Sequence, residues 1–476
     1  MKRPKMKFGY AILALAVIAM ISISAIMGQQ RDTERGATLY QQYCASCHGS
    51  EMQGGNAQSL VDGVWQFGVE DSYVFRNIKY GITHLGMPAY ENALSDTDIN
   101  NIIAYVRGVE KDRGVERPAI ARETGTMDYE LNIEVFAEGL EVPWSIDFLD
   151  ANTALITEKP GRVRVVKNGK MLSQPVAGTP AVLNEGQGGL LDVAVDPNYA
   201  QNGWIYLAYS HSLTSAGSER PVAMTRLVRG KINDNRWTDE QVIFEAPAET
   251  YRTTRHHYGC RIVFDPWGHL YFAIGDRGYQ DQAQDYKLPN GKVHRIYPDG
   301  SIPEDNPFAK IEGAIPSLYS LGNRNIQGMA IHPTTGHLWT TEHGPMGGDE
   351  LNLILPGKNY GWPVITYGRN YNGTTITDNR TYPGMEQPNF MWNPSIAVCG
   401  LDFYTGEMFP KWENKLMVGA LKYEQVTLLT LAGDRVIHEE TILKNAGRVR
   451  DVSTGPDGAI YVVLNNPDTV VRLSKK

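Results

Sequence analysis

The chain has 476 residues, 42% of them hydrophobic and 21% charged, a globular composition that excludes a largely disordered protein. Its 45 Lys and Arg against 53 Asp and Glu give a net charge of −8 with no basic stripe, which argues against nucleic acid as a partner. Four cysteines are too few for a disulfide scaffold, and the length calls for two or more domains.

The N-terminus carries Lys2, Arg3, Lys5 and Lys7, followed by an uncharged apolar run from Gly9 to Met27. A basic flank before an apolar core is an export signal, and a run of this length also suits an uncleaved membrane anchor. Residues 1–30 are therefore read as a signal sequence or an N-terminal anchor. Both readings put the remainder in the periplasm or on the extracytoplasmic face of the inner membrane.

Cys44-Ala45-Ser46-Cys47-His48 is the spacing that attaches haem c. Cys44 and Cys47 can reach the two vinyl groups of one haem, and His48 can ligate its iron from the same side. A redox dithiol would sit in a βαβ surround and a zinc site would bring a second ligand pair; neither follows in the chain. Met87, in an otherwise polar loop before Pro88, is the expected sixth ligand, with Met52 as its competitor. A helix is expected from Asp32 to Tyr43. A second opens at a capping box beginning at Ser95, with Ile99, Ile102, Ile103 and Val106 at helical spacing. Residues 31–109 thus resemble a class I cytochrome c, a small all-α domain. Residues 110–130, charged and interrupted by Gly and Pro, read as a linker.

Over residues 131–476 one unit recurs six times: an apolar strand, a turn rich in Asp, Pro or Gly, then a second strand. The copies are recognisable at Trp144, Gly189, Arg261, Gly328, Cys399 and Asp451. This is the spacing of four-stranded blades with variable loops, so the region is expected to be an all-β six-bladed propeller. The first strand of each blade lines the channel, and the residues before it form the mouth. The mouth then gathers Gln187, His256, His257, Arg324, Asn325, His343, Gly344, Pro345, Lys422, Arg448 and Arg450. Four cations aimed at one cavity imply a polyanionic ligand, because guanidinium forks pair with carboxylates. Cys260 and Cys399 fall on inner strands of non-adjacent blades and are expected to be free thiols.

Several segments carry a resemblance: Glu185 to Leu191, His257 to Arg261, Gly275 to Gly278, Gly291 to Ile296, Arg324 to Gly328, Glu342 to Glu350, Asn359 to Pro363 and Arg448 to Asp451. In this order they resemble the soluble glucose and aldose sugar dehydrogenases that depend on pyrroloquinoline quinone (PQQ), across most of Leu131 to Lys476. The resemblance implies a quinoprotein that oxidises an aldose at C1 to the lactone. His257 would be the general base and Arg324 would face the quinone C5 carbonyl. Gln187, Asn325, Lys422, Arg448 and Arg450 would contact PQQ. The backbone carbonyls of Gly344 and Pro345 would ligate calcium, and His256 and Asp349 would meet substrate. Asn323, Ile326 and Cys260 depart from the family's usual residues. Electrons would pass from PQQ to the fused haem and on to an external acceptor. Two competing readings are a calcium-dependent propeller lactonase and a non-catalytic sugar-binding propeller tethered to a cytochrome.

Overall fold

The computed structural model describes residues 33–63, 65, 71–81, 87–116, 119–213 and 221–476. Residues 1–30, read above as a signal sequence or anchor, lie outside them. Among the described residues no helix is long and apolar enough to cross a membrane. The chain divides between Ala119 and Ile120 into two compact units.

The first unit is helical. Helix α1 spans 33–43 and runs into the short α2, Ala45–His48; α3 is Asp71–Tyr80 and α4 is Asp96–Asp112. The capping box forms: the Ser95 side chain accepts from Asp98 N, and the Asp98 carboxylate accepts from Ser95 N. Ile99, Ile102, Ile103 and Val106 of α4 pack with Leu39 and Tyr40 of α1 and with Val74 and Ile78 of α3. Burying each such aliphatic side chain stabilises by about 1.5–3 kcal/mol. Helices α1 and α4 meet backbone to backbone at Gly36, where a Cβ would sit 2.0 Å from Asn101 O. No larger residue fits that crossing.

The second unit consists of six antiparallel sheets. Their inner strands are Pro143–Asp150, Leu190–Val195, Ile262–Phe264, Ile326–Ile331, Val398–Phe403 and Arg448–Thr454, in blades 1 to 6. Each inner strand packs against the next, and the sixth packs against the first. Blade 6 joins the two ends of the propeller chain. Its C-terminal strand Thr469–Lys475 pairs with Glu130–Ala137, which in turn pairs with the edge strand Glu123–Gly125. Ordered elements therefore enter the segment read as a linker from both sides: α4 runs to Asp112 and the propeller begins at Glu123.

Aspartates on inner strands clasp neighbouring blades. Asp147 accepts from Val195 N at 2.7 Å, Asp192 from Ile262 N at 2.7 Å, Asp402 from Thr454 N at 2.8 Å and Asp451 from Ile146 N at 3.1 Å. Arg261 stands at the centre of this ring. It bonds Asp192 at 3.0 Å and Asp451 at 3.1 Å, and donates to Gln327 O and Arg450 O. Its guanidinium also lies 4.2 Å from the Trp144 ring centroid. One side chain thus links blade 3 to blades 1, 2, 4 and 6. Cys260 and Cys399 are free and fully buried.

Candidate functional site

Three inner strands deliver mouth residues on the segments just before them: Gln187 in blade 2, His256 and His257 in blade 3, and Arg324 and Asn325 in blade 4. The others correct the expectation: His343 to Pro345 follow the second strand of blade 4, Leu338–Glu342, Lys422 follows that of blade 5, Leu416–Ala420, and Arg448 and Arg450 lie on the inner strand of blade 6 itself. His257 adopts φ 55°, in the left-handed region that costs a non-glycine residue energy and that clusters at functional positions. Two contacts hold it there. Its backbone N–H donates to Gln187 Oε1 at 2.8 Å, and its Nδ1 lies 2.6 Å from Asp276 Oδ1. Asp276 also accepts from Trp362 Nε1 at 2.8 Å and from Gly278 N at 2.7 Å. Burial, then the positive charge of Arg324, push the His257 imidazole down to about 4, although Asp276 opposes them. Burial works against the Asp276 carboxylate, but the His257 hydrogen bond and Arg324 hold it down at about 2. At neutral pH the pair is a neutral imidazole beside a carboxylate. Nδ1 then carries the proton, and Nε2 has the lone pair free to act as a base.

Arg324 is 5% exposed. Its Nη1 donates to the carbonyls of His343 and Gly344 at 3.0 and 2.9 Å, and its backbone N–H donates to Glu342. Asn323 donates to the other Glu342 oxygen at 2.7 Å. Burial pushes the Glu342 carboxyl up, and burial plus repulsion from Glu342 pushes Glu350 up. Arg324, Glu342, His343, Gly344, Pro345 and Trp362 line a common pocket.

The other mouth residues gather around this centre. Asn325 is buried and accepts from Gly259 N at 3.2 Å. Gln187 and Asn325 both commit their side-chain oxygen to backbone, which leaves their NH₂ groups as donors. The charge of Arg450 reaches His343, and His343 is pushed down to about 3 by burial and by Arg324. Arg448 is buried, while Lys422 and Arg450 are half-buried. His256 is half-buried with its ring edge-on to His257, 4.7 Å between centroids.

Asp349 is a correction. Expected at the substrate, it is fully buried, and its oxygens accept from Gly344 N at 2.9 Å, Ser395 Oγ at 2.6 Å and Val398 N at 3.1 Å. It pins the Gly344 turn and has no surface to offer a sugar. Two residues escaped the sequence reading. Asp276 lies in the Gly275–Gly278 segment that carries the resemblance, but no role is given to it there. Lys159, in a Lys-Pro-Gly turn of blade 1, is lowered by burial and by the charge of Arg450, so it belongs to the same cationic rim.

In the helical unit, Cys44 is the N-cap of α2 and Cys47 lies within it. His48 Nδ1 lies 2.9 Å from Gln58 O. A carbonyl accepts, so Nδ1 carries the proton and Nε2 is left with a lone pair that a metal could take. Met52 is 1% exposed and belongs to the core, whereas Met87 sits at the edge of that core with Cys44.

Residues 140–472 match the family model described as Glucose / Sorbosone dehydrogenase, and residues 31–106 match that of Cytochrome C oxidase, cbb3-type, subunit III. Aldose sugar dehydrogenase YliI of Escherichia coli is 42% identical over 70% of this chain and 90% of its own length. Quinoprotein glucose dehydrogenase B of Acinetobacter calcoaceticus is 31% identical over 49% of this chain and 52% of its own. The crystal structure of the soluble E. coli aldose sugar dehydrogenase in its apo form superposes with a TM-score of 0.68 at 40% identity, covering 73% of this chain and all of that one.

Proposed function

Because the chain belongs to the glucose/sorbosone dehydrogenase family and carries a cytochrome c-type domain ahead of its propeller, we propose that it oxidises an aldose at C1 to the lactone with PQQ and calcium and passes the electrons to its own haem c. The observation that carries this reading is the His257–Asp276 pair set beside Arg324. That arrangement suits removal of a proton from a hydroxyl whose carbon is losing hydride.

The donor set fits the cofactor. Arg324, Lys422, Arg448 and Arg450 match a tricarboxylated quinone, and the amide NH₂ groups of Gln187 and Asn325 can bond its oxygens. The Gly344 and Pro345 carbonyls are hard oxygen donors of the kind calcium prefers, and because Gly344 O here accepts from Arg324 Nη1, a calcium ion would have to take that carbonyl from the guanidinium. When bound, PQQ supplies the hydride acceptor that no side chain can provide. His257 Nε2 takes the C1 hydroxyl proton. Asp276 fixes the tautomer and steadies the imidazolium that results. Arg324 places fixed positive charge where an oxyanion develops. In the helical unit Cys44 and Cys47 would tether the haem, with His48 and Met87 on the iron. The partners are then an aldose and an external acceptor that reoxidises the haem. The export segment puts this chemistry outside the cytoplasm.

Addition of PQQ and calcium to purified protein should produce a bound-quinone absorbance, and aldoses should then reduce an artificial dye. Lactone hydrolysis without dye reduction would favour the lactonase reading. Sugar binding without turnover would favour the non-catalytic one.

A further inference from the structure

Blades 1, 2 and 5 join their two outer strands through short turns at 168–169, 234–235 and 433–434, whereas blade 4 inserts residues 355–389 at the same place. That connection climbs back to the mouth. Tyr360 N and Trp362 N donate to Leu321 O and Gly322 O at 2.8 and 2.9 Å, and Trp362 delivers its indole N–H to Asp276. Beyond Trp362 the chain is clamped to the loop that carries Gly344 and Pro345. Met346 N donates to Arg369 O at 2.9 Å and Arg369 N to Met346 O at 3.3 Å. Gly368 lies so close to Pro345 that a Cβ would sit 2.6 Å from its Cγ.

The tip that follows is a stiff turn. Asn370 N donates to Thr374 O at 2.9 Å, Gly373 N to Asn370 O at 2.8 Å, and Thr374 Oγ1 to Asn372 Oδ1 at 2.6 Å. It displays Tyr371, whose ring centroid lies 6.0 Å from the Arg324 guanidinium; Trp362 meets the same guanidinium at 5.4 Å. Trp362 is 4% exposed and Tyr371 is 44% exposed. Of the two rings on Arg324, only Tyr371 offers surface to an incoming molecule.

A large aromatic held in water by a clamped loop beside the reactive centre is arranged for contact. An aldose ring presents C–H groups on its faces, and the electron-rich face of an aromatic attracts them. Tyr has few rotamers to freeze, so such contact costs little entropy. We propose that Tyr371 is the platform on which the sugar ring stacks, and so a determinant of which aldoses are accepted. This role rests on the dehydrogenase reading above.

The test uses the full chain loaded with PQQ and calcium, as wild type, Tyr371→Phe and Tyr371→Ala. Two quantities are measured: dye-coupled oxidation of the aldose that wild type turns over fastest, and the calorimetric Kd of that sugar's 1,5-anhydro form, which lacks the C1 hydroxyl and cannot be oxidised. Loss of one stacking contact should raise KM and this Kd roughly 10-fold in Tyr371→Ala, with kcat held within about twofold. Tyr371→Phe keeps the ring face and should stay within about twofold of wild type throughout. Unchanged KM and Kd in Tyr371→Ala would overturn the platform. So would a Tyr371→Phe that behaves like Tyr371→Ala, because the hydroxyl would then be the contact. Weakened PQQ titration with an unchanged sugar Kd would assign the ring to the cofactor and overturn it as well. A wild type that oxidises no aldose would overturn the dehydrogenase reading and this role together, an outcome distinct from failure of the variant alone.

Discussion

His257 combines a left-handed backbone, a buried ring and a carboxylate on Nδ1, and each has a consequence that can be measured. His257→Ala should lower kcat by about 10²–10⁴, the usual contribution of a general base, and leave PQQ binding in place. A larger loss in His256→Ala would make that histidine the base instead. With its pKa lowered to about 4, His257 is deprotonated through the neutral range, so kcat/KM should be flat there and fall as pH drops toward 4. Asp276→Asn removes the carboxylate that raises this value, so the acid limb should move to lower pH; a limb that stays in place would contradict the pairing. In the helical unit, Met87→Ala should abolish the Met–iron charge-transfer band of the haem spectrum, and survival of that band would return Met52 to consideration. His257 and Arg324 were legible as candidates through short segments that resemble a known family, and Cys44 to His48 through its attachment spacing. Asp276 was not. Its role depends on a His nineteen positions earlier in the chain, brought beside it only when blade 3 folds.

The blades were legible because an inner strand buried on both faces must be apolar, and the turn after it must contain Asp, Gly or Pro, six times over. The closure was harder to read. Glu130–Ala137 looks like any strand, and its partner Thr469–Lys475 lies at the far end of the chain. Asp349 was misplaced for a similar reason: a carboxylate in a Gly-rich loop reads as exposed until the loop is seen to wrap around it. Arg261 also gains its meaning from the assembled ring. Arg261→Ala would leave Asp192 and Asp451 buried without their cation, a loss of about 3–5 kcal/mol of the kind seen when one partner of a buried pair is removed. Urea denaturation should show a lowered midpoint in this variant. A midpoint equal to wild type would mean that the interblade aspartate clasps hold the ring without it.

Across the whole molecule, a sugar dehydrogenase propeller and a cytochrome c-type unit share one polypeptide. Covalent joining keeps each haem at high effective concentration near its own propeller, whatever the protein concentration. Sugar oxidation releases two electrons and one haem accepts one, so sustained turnover needs the external acceptor, whereas a first electron needs only the chain itself. Replacing Cys44 and Cys47 with Ala should leave dye-coupled sugar oxidation intact and remove haem reduction. The most direct test mixes the PQQ- and calcium-loaded protein with aldose in a stopped-flow instrument, with no mediator, and follows haem reduction over a range of protein concentrations. Transfer within the chain gives reduction at a rate constant independent of protein concentration; a rate constant that rises linearly with it, or a haem that stays oxidised while dye is reduced, would rule such transfer out.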